Sequence, residues 1–145
     1  MKKFLVAVDG SSVAPAVLET AVKLARRSDA TLTLLRVVGL PVELPERTLV
    51  NSPEEVGNVL ETLAKTDLAQ LAELVPRELV TKIRVELGSP WQKVCEVGVE
   101  EDVDLIIVGS HGYGVLDRIL GTTASRVVNH ADRSVLVVRP KKMPI

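Results

Sequence analysis

The sequence predicts an α/β fold: a single doubly wound domain with a five-stranded parallel sheet and helices on both faces. Short apolar runs of strand length alternate with helical patterns along the chain. The 145 residues are enough for one self-sufficient core, so residues 1–145 are treated as one domain. Hydrophobic residues make up 46% of the chain and aromatic residues only 2%, which indicates a core of aliphatic strands covered by helices.

Five apolar runs rich in Val, Leu and Ile have the length of strands. They are Phe4–Val8, Thr31–Val38, Val80–Glu86, Leu105–Val108 and Val135–Val138. Their alternation with helices implies right-handed crossovers and a parallel sheet that is covered on both faces. We expect the strand order 3-2-1-4-5, which makes the first and fourth strands neighbours.

The first two helices are indicated by apolar residues spaced three and four apart. The first helix spans Ser12–Arg27, with Ser12 as its predicted N-cap. The second spans residues 53–75 and carries an apolar stripe that includes Leu63 and Leu68. A loop at 39–51, which contains two prolines, precedes it.

The last two helices have clearer start signals. The third begins with Ser89 as N-cap and Pro90 at the first helical position, and Gln92 completes a predicted capping box. The fourth runs from about Thr122 to His130. An acidic cluster between them, at positions 96, 100, 101, 102 and 104, is predicted to be a solvated charged face.

A glycine-bearing loop joins the fourth strand to the fourth helix. Gly109 and Gly112 let the backbone turn tightly and approach a ligand, and the N–H groups at the start of the following helix favour an anion. The loop is not a Walker A sequence, because residues 109–123 contain no lysine. The pattern favours a nucleotide or another phosphate. The alternative is a plain strand-to-helix crossover in which the glycines serve only the turn.

A second polar turn follows the first strand. Ligands of doubly wound sheets bind beyond the carboxyl ends of the strands, so Asp9 and Gly109 are expected to open onto one crevice if the first and fourth strands are neighbours. Asp9 can alternatively cap the first turn of the first helix. Thr122 and Thr123 can cap the fourth helix, a role that is compatible with phosphate binding.

The composition argues against several functional classes. A net charge of −1, scattered basic residues and three aromatic residues do not favour nucleic-acid binding. The N-terminal apolar stretch is too short for a signal peptide, and no run approaches the ~20 apolar residues that span a bilayer. A single cysteine, Cys95, is compatible with a reducing compartment. We therefore expect a cytoplasmic protein that does not bind membranes.

Five segments spread over the chain together resemble the universal stress protein family. They are Val8-Asp9-Gly10-Ser11, Gly88-Ser89-Pro90, Gly109-Ser110-His111-Gly112, Gly121-Thr122 and residues 134–139. The ATP-binding branch of that family carries the pattern G-x2-G-x9-G-[ST]. Here only eight residues separate Gly112 from Gly121, one fewer than in the pattern. We align Gly121 with the last glycine, whereas strict counting would place the final pair on Thr122-Thr123.

The resemblance implies an adenine nucleotide site. The implied cofactor-binding residues are Ala7, Val8, Asp9, Val37, Val108, Gly109, Gly112, Gly121, Thr122 and Thr123. In this interpretation Asp9 contacts the ribose hydroxyls or a bound magnesium ion. The backbone near Ala7 and Val37 lies beside the adenine, and Val108 forms an adjacent wall.

The phosphate end of this site is implied by the same resemblance. Gly109 and Gly112 would wrap the α- and β-phosphates, while Gly121, Thr122 and Thr123 would offer N–H and O–H donors to the terminal phosphates. The expected cofactor is ATP, with AMP or ADP as alternatives and Mg²⁺ as a possible companion.

Catalysis is not expected at this site. Rapid phosphoryl transfer uses a lysine, metal-binding carboxylates and a positioned base, and the loop offers only His111 and Arg118 as positive groups. We expect no catalytic residue and a dimeric signalling module that acts on a protein partner. Two alternatives stay open. One is a nucleotide-free dimeric interaction protein, and the other is a slow ATPase or a nucleotidyl-transferring enzyme, although the H-I-G-H and K-M-S-K-S signatures are missing.

Dimer formation is expected through residues 134–140. The apolar run there would be an exposed sheet edge in a monomer, and such an edge favours pairing with another strand. Members of the family that this chain resembles commonly pair through the last strand.

Overall fold

The observed elements follow the predicted order. The structure is a computed structural model that describes residues 2–39, 53–110 and 120–140. The strands are β1 (Lys2–Val8), β2 (Ala30–Val38), β3 (Val80–Leu87), β4 (Leu105–Gly109) and β5 (Ser134–Val138). The helices are α1 (Ala14–Ser28), α2 (Pro53–Ala72), α3 (Pro90–Glu100) and α4 (Thr122–His130), and a short 3-10 turn, Arg77–Leu79, precedes β3. The predicted loop at 39–51 lies almost entirely outside the described residues.

The sheet confirms the predicted topology. Its five strands are ordered β3-β2-β1-β4-β5, and every neighbouring pair is parallel. β1 lies in the centre, with Ala7 opposite Val108 of β4 and Val8 opposite Arg36 of β2. The carboxyl ends of β1 and β4 are therefore adjacent, at the point where the strand order reverses.

Two apolar clusters cover the two faces of the sheet. Successive side chains of a strand point to opposite faces, so Val6 joins the cluster of α1 and α2, whereas Leu5 joins the cluster of α3 and α4. Val94 and Val97 of α3 face inward, as the sequence predicts. In the described ranges, no helix has the length and apolar character required to traverse a lipid bilayer.

The start of α1 corrects one predicted cap. Val13, not Ser12, is the N-cap, and the helix begins at Ala14. Ser12 lies inside a turn that is closed by the Ala14 N–H donating to the Ser11 carbonyl at 3.3 Å. Pro15 therefore falls at the second helical position, where its missing N–H leaves no intrahelical bond unmade.

The start of α3 is only partly as predicted. Ser89 is the N-cap and Pro90 is the first helical residue. The predicted capping box is wrong, because the Ser89 side chain makes no capping hydrogen bond and Gln92 is exposed. The Ser89 carbonyl instead accepts the Lys93 N–H at 3.0 Å.

The apolar stripe of α2 is wider than the surface that the helix buries. Ala64 and Leu68 pack into the core, but the Leu63 side chain is 58% exposed and Val59 is 53% exposed. Consecutive helical residues are separated by about 100°, so a residue next to Ala64 points along the flank of the helix rather than at the sheet. Including Leu63 in the buried stripe was therefore wrong.

The acidic cluster is largely the exposed face that the sequence predicts, since the side chains of Glu96, Glu100 and Asp102 are 62%, 63% and 84% exposed, but it also takes part in an ion-pair network. Arg84 on the edge strand β3 contacts Glu86 at 2.7 Å, Glu101 at 3.2 Å and Glu100 at 3.3 Å. Lys82 also reaches Glu101 at 3.3 Å, and the Glu101 side chain is only 12% exposed. Burial lowers the pKa of Arg84, but its hydrogen bonds to the three carboxylates outweigh this effect and raise the pKa above its usual value.

Candidate functional site

A cavity of about 290 Å³ opens at the carboxyl ends of β1 and β4. Its volume lies near the lower end of the range of small-molecule pockets, which begins at roughly 300 Å³. The described residues that line it are Ala7, Val8, Asp9, Val13, Ala14, Val17, Val37, Pro90, Val94, Val108, Gly109, Gly121, Thr122, Thr123 and Ala124. Asp9 and Gly109 thus open onto one crevice, as expected from the strand order.

The cavity brings together nearly all of the residues that the resemblance implies. Nine of the ten line it, and the tenth, Gly112, lies outside the described residues. Sequence reasoning missed six lining residues, which come from the first turns of α1, α3 and α4: Val13, Ala14, Val17, Pro90, Val94 and Ala124. The sequence does contain a signal for them, because each helix that follows a strand begins near the carboxyl end of that strand, where the cavity lies.

Asp9 is oriented by its own turn. One carboxylate oxygen, Oδ1, accepts the Ser11 N–H at 2.9 Å and also the Ser11 hydroxyl. Such an Asx turn orients the Asp9 carboxylate at the end of β1, five positions before Ala14 begins the helix. The alternative that Asp9 caps α1 is therefore wrong, since α1 begins at Ala14. Within the described residues, Oδ2 has no hydrogen-bond partner and is available to a ligand.

The start of α4 carries a group of unpaired amides. Gly121 is the N-cap, and the first intrahelical bond is donated by Ser125 N–H to the Gly121 carbonyl at 2.9 Å. The N–H groups of Thr122, Thr123 and Ala124 therefore have no hydrogen-bond partner within the described residues. All three residues line the cavity, so their amides form a ready site for an anion.

Two predicted roles at this helix need correction. The N–H of Gly121 donates to the Ser110 carbonyl at 2.7 Å, so it cannot also donate to a phosphate. Thr122 and Thr123 do not cap α4, because Gly121 occupies the N-cap position and no side chain makes a capping bond. Their hydroxyls consequently have no capping role that competes with a ligand.

The other two helix starts at the cavity offer fewer donors. In α1, the Ala14 N–H is bound to the Ser11 carbonyl and the Ala16 N–H to the Val13 carbonyl, while Pro15 has no N–H. In α3, the residue that lines the cavity at the first helical position is Pro90, which also lacks an N–H. Of the three described helix starts, α4 therefore offers an anion the most backbone donors.

Gly109 lies close to α1, which leaves little space for a side chain. Among the described glycines only Gly88 has a positive φ, so Gly109 is not in the left-handed region that favours glycine. A Cβ at position 109 would lie 3.1 Å from Cγ2 of Val17, which is closer than ordinary contact. Glycine here lets α1 pack against the end of β4 at the cavity wall.

The charge of the site is unusual for a phosphate pocket. Asp9 is the one charged side chain among the described lining residues, and no lysine or arginine is among them. The described chain also contains no group of three metal-ligating side chains. Among the described residues, attraction for an anion thus rests on amides, hydroxyls and the positive end of the α4 dipole. A lone carboxylate fits Mg²⁺ that is held mainly by ligand phosphates and water.

The chain is similar in sequence to known proteins over its whole length. A model of the universal stress protein family matches residues 1–139. A putative universal stress protein of Staphylococcus haemolyticus is 33% identical over 152 residues, which cover 99% of this chain and 87% of that protein. A universal stress protein of Methanocaldococcus jannaschii is 32% identical, over 97% of this chain and 84% of that protein.

Solved structures share the fold. A hypothetical protein whose biochemical function was assigned from its structure matches with a TM-score of 0.81 and 24% identity, over 98% of both chains. A universal stress protein in complex with cAMP matches with a TM-score of 0.69 and 21% identity, over 95% of this chain and 96% of that one. One from Archaeoglobus fulgidus in complex with dAMP matches at 0.63 and 18%, over 94% and 97%. The family model and the curated relatives establish that this chain belongs to the universal stress protein family.

Proposed function

We propose that this chain binds an adenine nucleotide, with ATP as the first candidate and AMP or ADP as alternatives, and releases it without rapid hydrolysis. The observation that carries the proposal is the row of amides of Thr122, Thr123 and Ala124, which are unpaired within the described residues and line the cavity. Two fold neighbours are described as complexes with cAMP and with dAMP, which supports an adenine nucleotide as the ligand class.

The residues that line the cavity are of two chemical kinds. Ala7, Val37, Pro90, Val94 and Val108 supply an apolar wall suited to a purine ring. The unpaired amides at the start of α4 suit a phosphate group. A nucleotide bound in this cavity would therefore place its base against the apolar wall and its phosphates at the start of α4.

Asp9 is suited to bind the sugar that joins the base to the phosphates. Its free Oδ2 can accept hydrogen bonds from ribose hydroxyls, while Oδ1 stays with Ser11. The same oxygen can serve as one ligand of a magnesium ion that bridges to the phosphates. In both cases Ser11 fixes the carboxylate before the ligand arrives, which lowers the ordering cost of binding.

The composition of the cavity supports binding without rapid turnover. Phosphoryl transfer depends on positive charges that stabilise the transition state and on a base that orients the nucleophile. None of the described lining residues is a lysine, arginine or histidine, and the single carboxylate is oriented by its own turn. The proposal therefore is a nucleotide-responsive module whose occupancy changes its contacts with a protein partner.

Mass spectrometry of the supernatant from denatured, freshly purified protein tests the proposal directly. We expect co-purified ATP, ADP or AMP in a substoichiometric to stoichiometric amount. Isothermal titration with each nucleotide, with and without Mg²⁺, then ranks the ligands. Absence of a co-purified nucleotide together with no binding at millimolar concentration would contradict the proposal and favour the nucleotide-free alternative. Hydrolysis at several turnovers per second would favour the enzymatic alternative.

We further propose that the protein forms a homodimer through β5 and residues 134–140. The two edges of the sheet differ in character. β3 carries Lys82, Arg84 and Glu86, whose charges protect an edge from pairing, whereas β5 consists of Ser134 followed by aliphatic residues. Light scattering at micromolar concentration is expected to give twice the 15.7 kDa chain mass. A single-chain mass would contradict the dimer.

A further inference from the structure

Trp91 connects the start of α3 to the far end of α4. Its ring centroid lies 4.6 Å from that of His130, with the two rings tilted by 33°. The guanidinium carbon of Arg126 lies 5.8 Å from the same indole centroid, within cation–π range. Arg126 and His130 are four residues apart on α4 and therefore share one face of that helix. The indole thus contacts the last two turns of α4 along one side.

The N-terminal end of α4 carries the unpaired amides that line the cavity. The helix is short, about 13 Å from Thr122 to His130 at 1.5 Å per residue. At its start it is tied to the end of β4 by the Gly121 N–H bond to the Ser110 carbonyl. Because the unpaired amides point along the helix axis, their direction depends on where the far end of the helix is held.

We infer that Trp91 is a positioning residue for the nucleotide site, which holds α4 at the angle that aims the amides of Thr122, Thr123 and Ala124 into the cavity. Trp91 immediately follows Pro90, which lines the apolar wall. The apolar wall proposed for the base and the α4 amides proposed for the phosphates are consequently coupled through one indole ring. This inference rests on the proposed nucleotide binding for its functional consequence, but its structural part can be tested without a nucleotide.

The same contact makes Trp91 a reporter. It is the only tryptophan in the chain, so the intrinsic fluorescence of the protein comes mainly from this ring. A ligand that pulls on the α4 amides changes the contact between the indole and His130. Nucleotide titration is therefore expected to change the tryptophan emission with the same midpoint as the calorimetric binding curve.

The test compares three variants by calorimetry and by amide NMR. Trp91→Leu removes the stack and the cation–π contact, and is expected to weaken nucleotide binding by roughly fivefold to tenfold. Trp91→Phe keeps a ring against His130 and is expected to recover most of the affinity. Val75→Ala, a buried position in the opposite apolar cluster, lowers thermal stability without touching α4 and is expected to bind as the wild type does.

NMR of the nucleotide-free proteins separates the two proposals. In Trp91→Leu, the amide resonances of Thr122, Thr123 and Ala124 are expected to shift relative to the wild type, while in Val75→Ala they stay in place. Unshifted resonances in Trp91→Leu would overturn the positioning role, whether or not a nucleotide binds. Shifted resonances in a protein that binds no nucleotide would uphold the positioning role and reject the proposed function.

A double variant on α4 provides the test if Trp91→Leu does not fold. Arg126→Ala combined with His130→Ala removes the α4 partners of the indole at two exposed positions and leaves the core intact. The same amide shifts and the same loss of affinity are expected. Wild-type affinity and unshifted amides in this double variant would overturn the inference.

Discussion

Replacing Thr122 by proline removes one of the proposed phosphate donors and is expected to leave the helix undisturbed. Thr122 is the first residue of α4, the position at which proline is best tolerated because its N–H is not used inside the helix. The preceding residue, Gly121, already has φ −61° and ψ 160°, the extended conformation that a residue before proline favours. We expect the free energy of unfolding to change by no more than about 0.5 kcal/mol.

The expected loss of affinity follows from the charge of the ligand. A hydrogen bond from an amide to a charged acceptor contributes about 1.5–3 kcal/mol, which corresponds to a loss of roughly tenfold to a hundredfold. Thr122→Ala is the matched control, because it removes the hydroxyl and keeps the N–H. The difference between the two variants therefore isolates the contribution of the amide.

The assay is isothermal titration with ATP and with AMP, accompanied by thermal unfolding of each variant. Tighter or equal binding by Thr122→Pro relative to Thr122→Ala would refute the idea that α4 amides hold the phosphate. A large loss of thermal stability in the proline variant would show that the assignment of Thr122 to the first helical position is wrong.

Three further outcomes are expected. Asp9→Asn keeps an acceptor for Ser11 but loses the charge, so Mg²⁺ should no longer strengthen ATP binding in calorimetry; an undiminished Mg²⁺ effect would contradict this role. Ser134→Lys adds a charge at the β5 edge and should weaken dimerisation about tenfold in sedimentation. The same charge added by Gln70→Lys on α2 should not, and equal effects would argue against the β5 interface. Burial, and secondarily the charge of Asp132, raise the pKa of Cys95, so little thiolate is present near neutral pH. Alkylation should accelerate as the pH rises and should be several-fold slower than in urea, whereas equal rates would exclude a perturbed thiol.

The sheet and the position of the site could be predicted from local patterns. β-branched and aliphatic runs such as Leu105–Val108 lie between helical segments, and parallel strands connected in this way place their carboxyl ends at one edge. Asp9 and Gly109, which directly follow two of these runs, were therefore expected together, and they line the same cavity. Pro90 shows what could not be predicted: the sequence indicates that a helix starts there, but it does not indicate that this helix lines the cavity.

Features that depend on distant parts of the chain were missed. The hydrogen bond from the Gly121 N–H to the Ser110 carbonyl joins residues that are eleven positions apart. Local sequence patterns do not reveal such a bond, and they show Gly121 only as a flexible glycine. Arg84 meets Glu101 across 17 positions, and charge spacing alone does not reveal such a pair. Leu63 has the apolar character of a core residue, and only the packing of α2 determines that it points outward.

The unequal edges of the sheet also limit how far these chains can assemble. A sheet whose two edge strands can both pair with another chain can add copies on either side and grow into a fibre. When only one edge strand can pair, a symmetric dimer uses that edge in both copies and no further chain can add. The guanidinium and carboxylates along β3 remove the second growth point. If the proposed pairing through β5 holds, the complex has a fixed stoichiometry of two, and a higher concentration gives more dimers rather than a longer polymer.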